Sequence, residues 1–183
     1  MIRNVVILIC SFVVATGLFA QRNPGWAVPV EAKTILNLYM VDTGVYRCAQ
    51  PDVNAFAELE QMGIQSVLNL RYLCSDNKPA SATGLTLLHV KMAASNCDWD
   101  KVVESLRIIK NRKGPIAIHC KHGSDRTGLV LALYRIVFQG WSKDAAIDEL
   151  ENGGYGFHTI YANIPSFIRN LDEAALKKAV IEN

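Results

Sequence analysis

A single cysteine, Cys120, stands six residues before an arginine, Arg126, in the run Ile118-His119-Cys120-Lys121-His122-Gly123-Ser124-Asp125-Arg126-Thr127-Gly128. If this stretch curls around a tetrahedral anion, the backbone N–H groups of residues 121 to 126 point inward at the anionic oxygens. Arg126 then adds a bidentate fork that is always charged. Cys120 sits below the phosphorus, in position to attack it. The chemistry that fits this spacing is phosphate ester hydrolysis through a sulfur nucleophile. Lys121, His122, Gly123, Ser124, Asp125 and Thr127 are the residues expected to contact the substrate.

A thiol attacks only as the thiolate, and an unperturbed cysteine titrates near ~8.5. Three features of the segment favour the anion: the inward amides, the positive end of a helix expected to start near Thr127, and the guanidinium of Arg126. The Thr127 hydroxyl is placed to donate to the sulfur. His119 is expected to fix the loop by hydrogen bonds, with a strand-end histidine satisfied by backbone as the plainer alternative.

The elements that must hold this loop are legible on both sides of it. Pro115 to His119 is a short apolar strand, and Gly128 to Phe138 is an apolar helix too short to span a membrane. Upstream, two apolar runs flank Asp42-Thr43-Gly44 and predict a hairpin within Asn37 to Gln50. A helix follows from Asp52, with Val53, Phe56, Leu59 and Met62 on its apolar face and Gly63 as its stop. Ile64 to Leu70 reads as a strand buried on both faces, and Leu85 to Met92 as another. Between them, polar Cys74 to Gly84 reads as a surface loop near the active face. Trp99 to Lys110 forms an amphipathic helix, Ser142 caps a helix ending near Asn152, and Ile164 to Leu171 gives the last helix. Strands alternating with helices predict a single α/β domain with a central, mainly parallel sheet flanked by helices. Its ligand site lies beyond the carboxyl ends of the strands, where the cysteine loop falls.

A chain of 183 residues supports one domain with one good core. A net charge of +2 implies no surface for nucleic acid; positive charge gathers instead at Lys121, His122 and Arg126. Met1 to Asn4 is a short basic segment, and Val5 to Phe19 is uncharged and apolar, the pattern of a secretory signal peptide. The expected organisation is a signal at 1–20, an arm at 21–35 and a catalytic domain at 36–183. The expected location is outside the cytoplasm, periplasmic or secreted, with no stable membrane insertion once the signal is removed. The alternative is a chain anchored by that segment. In an oxidising compartment Cys120 could pair with Cys48, Cys74 or Cys97 as a redox brake; the plainer reading is three buried, unpaired cysteines.

Ile116 to Gly128 resembles the signature of the cysteine-dependent protein tyrosine and dual-specificity phosphatases: His-Cys, five residues, Arg, then Ser or Thr. Tyr46-Arg47-Cys48-Ala49-Gln50-Pro51, Gly63-Ile64 and Asn69-Leu70-Arg71 are similar to the upstream pattern of the small atypical dual-specificity type, so the resemblance covers roughly residues 36 to 171. It implies a two-step reaction in which the cysteine takes the phosphoryl group and water removes it, with no metal and no cofactor. It implies a phosphorylated protein or a polyphosphorylated small molecule as substrate. Plant and fungal members act on inositol pyrophosphates, but the loop lysine usual in that group is Ser124 here. Arg71, at a strand end, is either a substrate contact or a surface ion-pair former.

The family also uses an aspartic acid as proton donor, in many members a few positions after the strand matching Leu85 to Val90. Here Lys91 to Asn96 contains no acid, a departure from the pattern. Asp98 is the first candidate, and Asp100 and Asp125 are the others. Asp98 and Asp100 have an ordinary explanation too, as residues that stabilise a helix N-terminus. A chain lacking the acid altogether would be a phosphate-recognition module with negligible turnover.

Overall fold

The computed structural model describes residues 22–182. The segment read as an export signal lies outside the described residues. Six strands form one sheet: β1 (Val28–Pro29), β2 (Tyr39–Asp42), β3 (Val45–Cys48), β4 (Ser66–Asn69), β5 (Thr86–His89) and β6 (Ile116–His119), in the order β1-β2-β3-β6-β4-β5. The hairpin β2–β3 turns at Thr43-Gly44 and β1 pairs with it antiparallel, while β3, β6, β4 and β5 run parallel. The mainly parallel sheet expected from the sequence is therefore present, with an antiparallel extension at one edge.

Alternation along the central strands sorts the side chains into two layers. Ile116, Ile118 and Leu68 face the larger cluster, and Ala117 and Val67 face the smaller one. The larger cluster packs under α2 (Trp99–Lys110), α3 (Asp125–Gln139), α4 (Lys143–Asn152), α5 (Asn163–Asn170) and α6 (Glu173–Ile181). The smaller lies under α1 (Val53–Gln61), through Phe56 and Leu59. Burial on both faces explains why β4 and β6 read as continuous apolar runs.

Four expectations are corrected. On α1, Ala55, Phe56 and Leu59 are buried, whereas Val53 and Met62 are exposed because they flank the turn that meets the sheet. The arm at 21–35 is part of the fold: β1 lies within it, and Ala27 is buried with its N–H donated to Glu149. Helix α3 begins two residues earlier than expected, so Asp125 and Arg126 belong to its first turn. The helix ending near Leu171 is not the last. Asp172 caps α6, whose Leu176 and Val180 are buried and each contribute about 1.5–3 kcal/mol. Arg107 and Lys110 on α2 donate to the terminal carbonyls of α6, at Ala179 and at Val180 and Ile181, where partial negative charge collects.

Candidate active site

Strand β6 ends at His119 and α3 starts at Asp125, so residues 120–124 must turn the chain between them. Each carbonyl in that turn is held by a donor outside it. His119 Nδ1 meets Cys120 O at 3.1 Å, and Gln50 N donates to Lys121 O at 3.1 Å. Asn37 Nδ2 donates to His122 O at 2.8 Å, Arg47 Nη2 to Gly123 O at 2.7 Å, and Gly128 N to Ser124 O at 2.8 Å. With its carbonyls tied outward, the turn presents its N–H groups to the inside. Gly123 is at φ +74°, and a Cβ there would lie 2.4 Å from Cys48 O, so the residue must lack a side chain.

Cys120 is buried at the centre of this turn, 1% exposed. Burial alone pushes its thiol up. The Thr127 hydroxyl and amide, the charge of Arg126 and the Gly123 amide outweigh that and hold it below the ordinary cysteine value. Thr127 Oγ1 is buried and has no other partner among the described residues. Arg126 donates through Nη1 to Met92 O at 3.3 Å, and its buried Nε has no acceptor among the described residues. A phosphoryl oxygen bound in the turn would supply one.

Two buried residues, Asp76 and Arg47, brace the turn from behind, and neither role was assigned from the sequence. Asp76 lies in the polar stretch expected to be a surface loop, yet it is 4% exposed, with Oδ2 2.8 Å from His119 Nε2 and Oδ1 accepting from Gln50 Nε2 at 3.0 Å. Burial raises its carboxyl; the bonds and charge of His119, with Gln50 and Asn69, more than reverse this and leave it below the usual range. The one sequence-level clue is an acid midway along a stretch expected near the active face. Arg47 is buried with its guanidinium 3.5 Å from the centroid of the Tyr155 ring. Its pKa is lowered to about 10, because burial outweighs the neighbouring Tyr155 and Glu149.

The other residues singled out by sequence fall as follows. Lys121 and His122 are exposed on the turn. The His122 imidazole is held below its usual value, by burial and then by the charges of His158 and Lys121. Ser124 uses its hydroxyl structurally, donating to Tyr155 O at 2.6 Å. Asp125 is buried and its carboxylate is engaged by His158, through N at 3.0 Å and Nδ1 at 3.0 Å. Asp98 caps α2, accepting from Asp100 N and Lys101 N, and is exposed, as is Asp100. Arg71 donates to Gln50 Oε1 at 3.1 Å, joining the network behind the turn rather than a surface ion pair. Cys48, Cys74, Cys97 and Cys120 form no disulfide; Cys48 is buried, while Cys74 and Cys97 are half-buried. The Cys48 thiol is driven up by burial and by nearby Cys120, which makes it a poor nucleophile.

Comparison with known proteins finds phosphatases similar to this chain. The family model Tc-R-P, described as "Polymorphic toxin system, DSP-PTPase phosphatase", matches residues 41–140. The chain is 33% identical to the dual specificity protein phosphatase TpbA of Pseudomonas aeruginosa, over 88% of this chain and 73% of that protein. It is 32% identical to the inositol diphosphatase DSP1 of Oryza sativa subsp. japonica, over 63% of this chain and 56% of that one. A crystal structure of P. aeruginosa TpbA in complex with pTyr superposes with a TM-score of 0.79 at 32% identity, covering 88% of this chain and 99% of the other. A chain that holds Cys120 and Arg126 between a parallel strand and a buried helix, and that matches these proteins over most of its length, thus belongs to the atypical dual-specificity phosphatase family of cysteine-dependent phosphatases.

Proposed function

We propose that the chain is a phosphomonoester hydrolase that acts through a cysteinyl-phosphate. The Cys120 sulfur attacks phosphorus, the ester oxygen leaves with a proton, and water then attacks the S–P bond to release inorganic phosphate and restore the thiolate. Arg126 and the inward amides hold the three equatorial oxygens as charge redistributes among them. The observation that carries this reading is the outward capture of all five carbonyls from Cys120 to Ser124, which turns the amides toward the buried sulfur.

Proton donation to the leaving group is assigned to Asp98. It is exposed and is the first carboxylate after the segment whose Met92 carbonyl contacts Arg126. Asp125 is engaged by His158 instead. The substrates proposed are phosphotyrosine, phosphoserine or phosphothreonine proteins and, second to them, inositol polyphosphates. Protein substrates come first because exposed apolar side chains adjoin the groups that hold the turn: Leu36 beside Asn37, Tyr72 and Leu73 after Arg71, and Ile160 after His158. Exposed apolar side chains at these positions suit an aryl ester better than a fully anionic ring. Export by the N-terminal apolar segment belongs to the same proposal.

The test compares para-nitrophenyl phosphate, whose leaving group scarcely needs an acid, with a phosphoserine peptide that does. Cys120→Ser is expected to abolish turnover of both and to keep oxyanion binding. Asp98→Asn is expected to slow the peptide by about 10²- to 10⁴-fold and to spare the aryl ester. Full kcat on the peptide with an unchanged basic limb in the Asp98→Asn pH profile would remove Asp98 from the mechanism. No turnover of either substrate by reduced, folded protein would make the chain a phosphate-binding module.

A further inference from the structure

Beside the sulfur site, His122, Asp125 and His158 bring three ligating atoms within 4.8 Å of one another. His122 lies in the catalytic turn and Asp125 opens α3; His158 arrives from the loop that follows α4. His158 Nδ1 is 3.0 Å from each oxygen of Asp125, and the His122 and His158 rings have centroids 5.0 Å apart. A simple Asp125–His158 hydrogen bond explains two of these groups. It does not explain why a second imidazole is brought to the same point in a neighbourhood already carrying Lys121 and Arg126.

We propose that His122, Asp125 and His158 form a binding site for a divalent transition cation of the zinc class at the edge of the catalytic turn. Zinc binds imidazole nitrogen and carboxylate oxygen at about 2.0–2.2 Å in a tetrahedron, which sets ligand atoms about 3.3 Å apart. The Asp125–His158 pair already has nearly that spacing, and rotation of the two exposed rings closes the rest. The carboxylate is preset for the task. Asp125 is buried, and its Oδ1 accepts the His158 backbone N–H at 3.0 Å, leaving Oδ2 for a metal and a fixed orientation behind it. The backbone leading to His158 is fixed as well, since Tyr155 O accepts from Ser124 Oγ at 2.6 Å and from Asn37 Nδ2 at 3.0 Å.

Two imidazoles and one carboxylate select zinc, cobalt, nickel or copper over magnesium or calcium, which prefer oxygen donors. Three protein ligands leave a fourth position for water or an anion. The ion takes no part in breaking the ester; it would bridge the catalytic turn to the loop at 153–158.

The test uses the full chain carrying Cys120→Ser, so that the nucleophilic sulfur is not a ligand, titrated with Zn²⁺ by calorimetry and with Co²⁺ by visible absorption. The expected result is one equivalent bound, cobalt d–d bands without a thiolate charge-transfer band, and no competition from Mg²⁺. His122→Asn and His158→Asn, both at exposed rings, are each expected to weaken Zn²⁺ binding at least about tenfold. Absence of Zn²⁺ binding, an affinity left unchanged by either histidine substitution, or a thiolate band assigning the metal to Cys74 or Cys97 would each overturn the proposal.

Discussion

Asp76 reaches the sulfur through His119, whose other ring nitrogen lies against the Cys120 carbonyl. Asn at 76 preserves the shape of the side chain and removes the charge that pairs with His119. Since misplacing a reacting group by about 1 Å can cost about 100-fold in rate, Asp76→Asn is expected to lower kcat by about 10- to 100-fold with the fold retained. Steady-state kinetics beside a thermal melt checks this. An unchanged kcat would mean that His119 holds the turn without its carboxylate.

At the scale of elements, the β6–turn–α3 unit concentrates its constraints on one glycine. Gly123→Ala places a methyl group against Cys48 O and requires a left-handed backbone of an L residue, costing about 1–3 kcal/mol. A lower unfolding midpoint in urea and a turnover loss larger than that midpoint shift suggests are expected together. Loss of stability alone would show that the turn tolerates the methyl. The turn, its strand and its helix were legible because their signals are local: a cysteine–arginine spacing, a short apolar run and an apolar helical stretch. The braces were not. Asp76 and Arg47 act across 43 and 76 positions of sequence, and nothing in the polar surroundings of Asp76 marks it as buried. The apolar pattern of α1 overreached at Val53 and Met62, since periodicity gives the face of a helix but not how far the contact extends along it. Helix α6 was missed because its Ala-rich sequence has a weak stripe, and Arg107 and Lys110 complete its end from another element.

Across the whole molecule, one carboxylate links distant parts of the chain. Glu149 on α4 accepts from Arg135 Nε at 2.8 Å and Nη2 at 2.9 Å on α3, from Ala27 N at 2.6 Å in the arm, and from Tyr155 OH at 2.9 Å in the loop that holds His158. Burial raises its carboxyl, but Arg135 and these donors prevail and leave it below the ordinary value. With the folded value below an unfolded value of about 4.3, this stabilisation is complete above the unfolded value and is lost as pH falls through the folded one. Asp76 is lowered too and acts in the same direction. The urea midpoint should therefore be flat near neutrality and drop below about pH 4. Glu149→Gln should flatten that drop while costing about 3–5 kcal/mol at pH 7, because Arg135 is left buried without its counter-charge. A drop of the same steepness in the variant would place the acid sensitivity elsewhere.

The outward capture of the turn's carbonyls has a further consequence for how a ligand is met. Because the amides are aimed by the protein rather than by the guest, a tetrahedral oxyanion finds its cradle already assembled and association carries little ordering penalty. Amide hydrogen exchange across residues 121–126 should accordingly slow sharply once vanadate oxygens accept these N–H groups, while protection of Gln50 and Gly128, whose amides already hold the turn's carbonyls, should stay the same.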